Sequence, residues 1–275
     1  MKISRTTAKA VLVRSSLPAS DYVANPYTGC PHKCRYCYAE FMRRRTGHTE
    51  DWGDFIDVKS YESTKLPRSL AGKTVLLSSV TDPYNPYEAK YRKSRAVLEL
   101  LADTGAHIEI LSKSDLMLRD IDLLKTIPDL SVGISLNTLD DDFRRDMEPC
   151  APSVQRRLSA LEALHGEGIR TYTFISPIFP HLTDIHAIIE RVSPYSDMIC
   201  FENLNLRGKA REIILQYIGE KYPQYLTAYQ NIYLKRDISY WRALEDDIHT
   251  LEKSSGVPLI SYMYHSQIKK GGNKK

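Results

Sequence analysis

The sequence predicts an α/β fold, in which six parallel βα units form a partial, TIM-like (β/α)6 barrel. Short runs rich in Val, Ile and Leu alternate with longer helical patterns between about residues 75 and 201. Such alternation is typical of βαβ units with right-handed crossovers. A chain of 275 residues is long enough for one such barrel. Its composition, 42% hydrophobic and 26% charged, is that of an ordinary globular chain with ample material for a core.

The elements follow one another in a regular order. The first strand is expected just before Cys30, and the six strands are predicted at 23–28, 75–80, 107–111, 130–136, 169–175 and 198–201. Helices are predicted between the later strands, at 88–102, 119–126, 141–147, 153–166 and 184–192. After residue 208 the pattern changes to helices rich in Tyr, and residues 257–262 are a candidate late strand. We therefore expect a barrel with an N-terminal lead-in over residues 1–208, and a helical extension packed on it over residues 209–275.

The net charge of +4 is small, but it is unevenly distributed. Residues 1–50 carry nine Lys and Arg against three acidic residues, and the tail adds Lys269, Lys270, Lys274 and Lys275. Basic clusters attract phosphate-bearing partners, and they are equally typical of a solvated surface. Charge alone therefore does not decide the function.

Membrane and disulfide classes are both disfavoured. The longest apolar runs fall far short of the roughly 18 residues that a membrane span needs. The cysteine count is odd, five, and three of the five lie within eight positions, which is a poor disulfide framework. We expect a cytoplasmic protein whose clustered cysteines serve metal or redox chemistry. Cys150 and Cys200 are expected to be ordinary small buried residues.

The strongest signal is the segment GCPHKCRYCY, which places Cys30, Cys34 and Cys37 in one short loop. Cysteine thiolates are the usual ligands of iron–sulfur clusters, which normally take four. Three cysteines leave one iron of a [4Fe–4S] cluster without a protein ligand. The amino and carboxylate groups of S-adenosylmethionine (SAM) can chelate that iron, so that the cofactors perform the chemistry while the protein orients and shields them.

Zinc is the alternative for this loop. The three cysteines together with His32 or His48 would supply four tetrahedral ligands. The spacing differs from the paired arrangement of common zinc fingers, and no second ligand pair follows. A non-catalytic zinc scaffold or nucleic-acid-binding module therefore stays open as a second class of function.

Polar groups follow the predicted strands, where a barrel carries its reacting residues. After the second strand, Ser79, Thr81 and Asp82 are candidates to receive the ammonium group of SAM. After the third, Lys113 is a candidate to neutralise the SAM carboxylate or a substrate anion. A proline-fixed turn and a solvated lysine are the corresponding structural interpretations.

The remaining strands add further candidates. Ser135 and Asn137 end the fourth strand, where a hydroxyl and an amide can hydrogen-bond a ribose. Arg157 either pairs with Glu148 or grips a carboxylate bidentately. Ile178 lies in a proline-stiffened segment that can stack beside adenine or simply form a buried loop. After the sixth strand, polar side chains are expected at the barrel mouth, with helix capping and surface charge as the alternative: Glu202, Asn203, Asn205 and Arg207.

A CxxxCxxC loop followed by an aromatic residue, here Tyr38, resembles the signature of the radical SAM superfamily. Four segments, in order along the chain, resemble its spore photoproduct lyase-like branch, and especially the radical SAM mobile pair protein B group: TDPYNPYE, LSKSDLMLRDIDLL, EPCAPSVQRRL and PIFPHLTD. The resemblance covers roughly residues 20–208. It implies that the three cysteines bind the cluster, and that SAM is held with help from Thr81, Lys113, Ser135 and Arg157. It also implies an external one-electron reductant of the flavodoxin or ferredoxin type.

The chain departs from true spore photoproduct lyases in one respect. Those enzymes use a cysteine as hydrogen donor near the second barrel strand, where this chain has Ser78 and Ser79. The difference speaks against thymine-dimer repair. The basic residues and the C-terminal tyrosines suit a nucleic-acid substrate, and aromatic surfaces equally suit a peptide or partner protein. Simple packing between helices is a third interpretation of the tyrosines.

Overall fold

A computed structural model describes residues 1–263 of the chain. Within these residues the strands are β1 (Lys2–Ala10), β2 (Leu12–Arg14), β3 (Tyr22–Ala24), β4 (Tyr27–Thr28), β5 (Phe55–Ser63), β6 (Thr74–Leu77), β7 (His107–Ser112), β8 (Leu130–Ser135), β9 (Thr171–Ile178), β10 (Met198–Asn203) and β11 (Leu259–Ser261). The α-helices are α1 (Glu88–Tyr91), α2 (Lys93–Leu101), α3 (Ile121–Leu124), α4 (Asp141–Met147), α5 (Val154–Gly166), α6 (Ile185–Val192), α7 (Gly208–Lys221), α8 (Leu226–Tyr233) and α9 (Ser239–Glu252). The lysines of the tail, from Lys269 onward, lie outside the described residues.

The main sheet confirms the predicted partial barrel. Its strand order is β11-β10-β9-β8-β7-β6-β3-β2, and every neighbouring pair from β11 to β3 is parallel. Strand β2 pairs antiparallel with β3 at the edge. Because the six strands β3 and β6–β10 run in one direction, their carboxyl ends meet at one rim of the sheet.

The predicted elements form for recognisable local reasons. All six residues of β8 are buried, as expected of a parallel strand covered on both faces. Three helices begin at residues whose side chains accept hydrogen bonds from the backbone of the first turn: Asp140 before α4, Ser153 before α5 and Asp184 before α6. The core between strands and helices is aliphatic, and Val132, Ile175 and Ile188 are among its fully buried members.

Two predicted elements are broken in the structure. The expected first strand at 23–28 divides into β3 in the main sheet and β4 in a second sheet. Pro26 lies between the two parts and has no N–H to donate to a strand ladder. The helix expected at 88–102 is interrupted at Arg92, which adopts a left-handed backbone conformation with φ +48°.

A second, three-stranded sheet with the order β1-β5-β4 was not predicted. Strand β1 runs parallel to β5 over eight paired residues, and β4 pairs antiparallel with β5. The residues of β5 that begin the strand, from Phe55 to Val58, are buried. This second sheet therefore supports β4, the strand from which the cysteine loop departs.

The Tyr-rich segment after residue 208 packs on the barrel rim. Tyr217 and Tyr229 are buried, and the other tyrosines named as candidates there are half-buried. The Tyr229 hydroxyl donates to the Pro180 carbonyl (3.0 Å), and the Tyr233 hydroxyl donates to the Leu204 carbonyl (3.0 Å). These contacts favour the packing interpretation. The segment also contributes β11, which pairs with β10 and confirms the predicted late strand. In the described part of the chain, no helix has the length and apolarity that crossing a membrane requires.

Candidate cluster and cofactor site

The cysteine loop leaves β4 through a tight turn at Gly29. This residue has φ +86°, and a Cβ atom there would lie 2.4 Å from the Phe55 carbonyl oxygen. Only glycine satisfies both conditions without strain. Cys30, Cys34 and Cys37 follow and are all partly exposed, and a 3-10 helix at Tyr38–Arg45 continues the chain. The loop thus starts at the carboxyl rim, where the sequence predicts it.

Segments far along the chain fix the loop in place. The Arg35 N–H donates to the Met147 carbonyl (2.9 Å), and the Cys150 N–H donates to the His32 carbonyl (3.2 Å). The Tyr36 hydroxyl donates to the Glu148 carboxylate. Cys150 is exposed, so its predicted burial is wrong: it lies on the surface turn between α4 and α5 that braces the loop. Cys200, in contrast, is buried as predicted.

Burial controls the protonation of the three thiols. Desolvation raises the pKa of Cys30 to about 12, with the nearby Asp82 carboxylate adding to the shift. Desolvation likewise raises the pKa of Cys34 and of Cys37. Backbone N–H groups of His32 and Asp82 act on Cys30 in the opposite direction, and the Trp52 side chain does so on Cys37. The free thiols are therefore protonated at neutral pH, and binding of iron must displace their protons.

The donor set fits an iron–sulfur cluster. Three thiols close together in one loop supply the soft sulfur ligands that such clusters take. Among residues 1–263, no group of three or more His, Cys, Asp or Glu side chains is placed to hold a metal ion as the structure stands.

The ends of four neighbouring strands are joined by side-chain hydrogen bonds. Lys113, just after β7, donates from Nζ to the Ser135 hydroxyl at the end of β8 (2.6 Å). The Ser135 hydroxyl donates to the Ser176 carbonyl of β9 (3.2 Å), and the Ser176 hydroxyl donates to Glu202 of β10 (2.6 Å). The structure therefore brings Lys113 and Ser135 together along the rim. Asn205 and Arg207, by contrast, are exposed.

Arg157 is engaged in a buried ion pair. Arg157 and Glu148 have fully buried side chains, and the guanidinium donates to the carboxylate. Arg157 also donates to the carbonyls of Pro152 (3.0 Å) and Ser135 (3.2 Å). Burial by itself raises the pKa of Glu148, but Arg157 and Lys113 outweigh it and lower the pKa to about 2. Of the two interpretations of Arg157, this geometry favours pairing with Glu148.

The turn after β6 carries Ser79, Thr81 and Asp82 beside the cysteine loop. The Thr81 hydroxyl donates to the Gly29 carbonyl (2.6 Å), which ties this turn to the residue before Cys30. The Ser79 carbonyl accepts a hydrogen bond from the Tyr38 hydroxyl, just after Cys37. The turn therefore contacts the loop at both ends.

Asn137 and Ile178 lie in the interior near the ends of β8 and β9. Ile178 is fully buried in β9, and its carbonyl accepts a hydrogen bond from Leu204 (3.2 Å). Asn137 is fully buried, and its side-chain nitrogen and oxygen have no hydrogen-bond partner among residues 1–263. A buried amide without a partner is costly, and a bound polar group is one way to satisfy it. The environment of Asn137 therefore fits a ligand with both donors and acceptors, such as a ribose.

Sequence reasoning missed three residues that shape the site. His32 was considered only as a zinc ligand, yet it is buried beside Asp82, with Nδ1 3.5 Å from the carboxylate oxygen. Tyr36 anchors the loop to Glu148, and Trp52 contacts Cys37. The presence of Tyr36 inside the cysteine motif was a usable signal. Nothing local in the sequence indicates the contact of Trp52.

Comparison with known proteins settles the family. Residues 24–192 match the model of the radical SAM superfamily, which is more than half of the chain. The chain belongs to this superfamily. Membership implies an enzyme that uses a [4Fe–4S] cluster and SAM, and it confirms the family resemblance of the cysteine loop.

Relatives of this radical SAM protein occur in archaea and in a phage. An uncharacterised protein of Methanocaldococcus jannaschii is 34% identical over 253 residues, which are 92% of this chain and 94% of the relative. The Radical SAM Nalpha-GlyT isomerase of Pseudomonas phage M6 is 28% identical over 175 residues, which are 62% of this chain and 36% of the phage protein.

Two solved structures share the fold. Spore photoproduct lyase complexed with a dinucleoside spore photoproduct aligns with a TM-score of 0.58 at 16% identity, over 81% of this chain and 66% of the lyase. Streptococcus suis SuiB bound to SAM aligns with a TM-score of 0.56 at 12% identity, over 90% of this chain and 51% of SuiB. The chain thus spans about two thirds of the lyase and about half of SuiB. At these identities the likeness shows the fold, the partial barrel with helices around it.

Proposed function

We propose that Cys30, Cys34 and Cys37 hold the [4Fe–4S] cluster of this enzyme and that SAM binds along the adjoining rim. The observation that carries the proposal is the position of the three thiols, at the carboxyl end of the barrel strands and beside the polar residues Lys113, Ser135 and Asn137. When bound, the cluster and SAM supply a reductive carbon–sulfur cleavage whose 5′-deoxyadenosyl radical abstracts hydrogen from a substrate. The protein supplies position, charge and exclusion of water.

The residues of the chain have separable tasks in this proposal. Lys113, only 15% exposed at its side chain, places a cation at the rim, where it compensates the carboxylate of SAM. The amide of Asn137 offers a donor and an acceptor to the ribose. Glu148 and Arg157 act on the site indirectly, because they hold the loop and the end of β8 in position. Asp82 and Thr81 set the turn that closes over the loop from the β6 side.

For the substrate we propose a nucleic acid. The 3-10 helix that follows Cys37 ends in Arg43, Arg44 and Arg45, and Arg44 and Arg45 are exposed. Guanidinium groups beside the cluster suit phosphate contacts. The spore photoproduct lyase that shares the fold carries a dinucleoside ligand, which supports the same substrate class. A peptide is the second candidate, because SuiB, also solved with its precursor peptide, aligns over 90% of this chain.

Anaerobic reconstitution tests the cofactor proposal. The wild-type protein should bind about four iron atoms per chain, as a [4Fe–4S] cluster requires, and should form 5′-deoxyadenosine from SAM in the presence of dithionite. Cys34→Ala should lose the iron and the product while the barrel stays folded by circular dichroism. Cys150→Ser is the matched control, because Cys150 lies beside the loop but outside the ligand set, and it should retain both. A colourless wild-type protein with stoichiometric zinc would refute the proposal.

Isotope transfer tests the substrate proposal. Deuterated oligonucleotides and deuterated peptides should be offered separately to the reconstituted enzyme, and the 5′-deoxyadenosine analysed by mass spectrometry. Deuterium from the oligonucleotide alone is the expected result. Deuterium from the peptide alone would replace the nucleic acid by the second candidate. Simultaneous replacement of Arg44 and Arg45 by Gln should weaken oligonucleotide binding and leave deoxyadenosine formation without substrate unchanged.

A further inference from the structure

His32 is the most unusual member of the cysteine loop. It lies between Cys30 and Cys34, and it is only 1% exposed. Its carbonyl accepts a hydrogen bond from the Cys150 N–H, so the backbone around it is fixed from outside the loop. Its ring faces inward, with Nδ1 3.5 Å from the nearer oxygen of Asp82. A buried imidazole in this position requires an explanation for each of its two nitrogens.

The Asp82 carboxylate accounts for one nitrogen. Its oxygens accept hydrogen bonds from the Tyr84 N–H (2.8 Å), the Ser112 hydroxyl (2.6 Å) and the Lys113 N–H (2.8 Å). A carboxylate has about four lone-pair sites. Three are occupied by these donors, and the fourth faces Nδ1 of His32. Asp82 therefore orients the His32 ring, and little of its accepting capacity remains for the ammonium group that the sequence assigned to it.

The second nitrogen, Nε2, has no hydrogen-bond partner among residues 1–263. With the proton of a neutral ring on Nδ1, where it faces the carboxylate, Nε2 carries a lone pair and can only accept. The charged groups that surround the ring, besides Asp82, belong to the rim: Lys113, Arg157 and Glu148. The unpaired acceptor thus belongs to the same polar region as the proposed SAM site.

We propose that Nε2 of His32 accepts a hydrogen bond from the amino group of SAM. This inference rests on the proposed function, since it requires SAM beside the cysteine loop. The carboxylate of SAM is excluded as the partner, because an acceptor cannot pair with an acceptor. Among the donors of SAM, the amino group is the one that chelation brings to the cluster, and His32 is part of the loop that holds the cluster. His32 is therefore a cofactor-binding residue that Asp82 orients.

The test compares two substitutions of His32 in the reconstituted enzyme. His32→Leu fills similar space and removes the acceptor, whereas the side-chain oxygen of His32→Gln restores an acceptor near the position of Nε2. SAM binding is measured anaerobically, by the SAM-dependent change in the electron paramagnetic resonance spectrum of the reduced cluster. We expect the Leu variant to bind SAM about ten- to a hundredfold more weakly, the range for a lost hydrogen bond of this kind. The Gln variant should bind SAM nearly as well as the wild type.

5′-Methylthioadenosine is the matched control ligand, because it has the adenosyl part of SAM but no amino group. Its affinity, measured by equilibrium dialysis, should be the same for all three proteins, and their iron contents should be equal. Equal SAM affinity in the Leu variant and the wild type would overturn the inference. A parallel loss of methylthioadenosine binding or of iron would also overturn it, because His32 would then support the fold of the loop. A wild-type protein that binds no iron would refute the proposed function itself, and this outcome is distinguishable from the others.

Discussion

Replacing Glu148 by Gln removes the charge at the centre of the site and almost nothing of its shape. Glu148 is fully buried and receives hydrogen bonds from Tyr36 and Arg157, with Lys113 Nζ 3.6 Å away. The substitution leaves the Arg157 guanidinium buried without its counter-charge. Breaking a buried pair in this way typically costs about 3–5 kcal/mol.

The pKa of Glu148 gives an independent magnitude. Its value of about 2, against the ordinary 4.5, favours the ionised form in the folded protein. At about 1.4 kcal/mol per unit, this difference corresponds to about 3 kcal/mol. Because the folded-state pKa is lowered, this stabilisation is fully present above pH 4.5 and is lost as the pH falls toward 2. The two estimates agree, so we expect Glu148→Gln to lose about 3 kcal/mol of unfolding free energy at pH 7.

Urea unfolding of the cluster-free protein under anaerobic reducing conditions measures the loss. Glu167→Gln is the matched control, since Glu167 pairs with Lys125 at 2.7 Å but both side chains are about half exposed. Surface pairs of this kind contribute at most about 1 kcal/mol. The double substitution Glu148→Gln with Arg157→Met should recover part of the loss, because it removes the unpaired charge as well. Equal losses for Glu148→Gln and Glu167→Gln would refute the argument, as would a wild-type minus Glu148→Gln difference that persists unchanged below pH 2.

Two further predictions concern the surroundings of the loop. Gly29→Ala should lower both the stability and the iron content, because its Cβ would lie 2.4 Å from the Phe55 carbonyl oxygen. Gly47→Ala also has a positive φ, but it meets no atom within 4 Å, and it should keep its iron in the same reconstitution assay. Trp52→Phe removes the indole N–H that acts on the Cys37 sulfur, and the reduction potential of the cluster should become more negative in a redox titration, since hydrogen bonds to sulfur help to set that potential. An unchanged potential in a fully loaded variant would contradict this role.

The barrel was predictable because its signals are local. Each of the strands β7–β10 is a short apolar run, and the helices between them are marked by capping residues such as Ser153 and Asp184. The second sheet was not predictable in the same way. Strand β1 pairs with β5, more than fifty residues later, and its own sequence alternates between exposed and half-buried positions. Pairing at such separation leaves no local pattern.

The candidate site divides along the same line. The three cysteines are recognisable because their spacing in the sequence is itself the chemistry. The partner of Arg157 stayed open, because a sequence cannot show whether a guanidinium near a carboxylate is buried with it or turned to a ligand. The exposure of Cys150 escaped prediction for a related reason: burial of a small residue depends on the turn that carries it. The role of His32 depends on Asp82, fifty positions further along the chain.

These distant contacts also determine when the loop acquires its shape. Within the loop, two backbone hydrogen bonds are found, from Lys33 to Cys30 (3.5 Å) and from Cys37 to Cys34 (3.2 Å). The stronger supports come from outside, from Phe55 beneath Gly29, from Thr81, and from the connection between α4 and α5. A loop built in this way has no fixed geometry until the barrel has formed. Its cluster therefore binds to a folded protein, unlike the zinc of a zinc finger, whose binding drives folding. It follows that the iron-free chain should unfold cooperatively, and that substitutions in the braces, far from any cysteine in sequence, should lower iron content before they unfold the barrel.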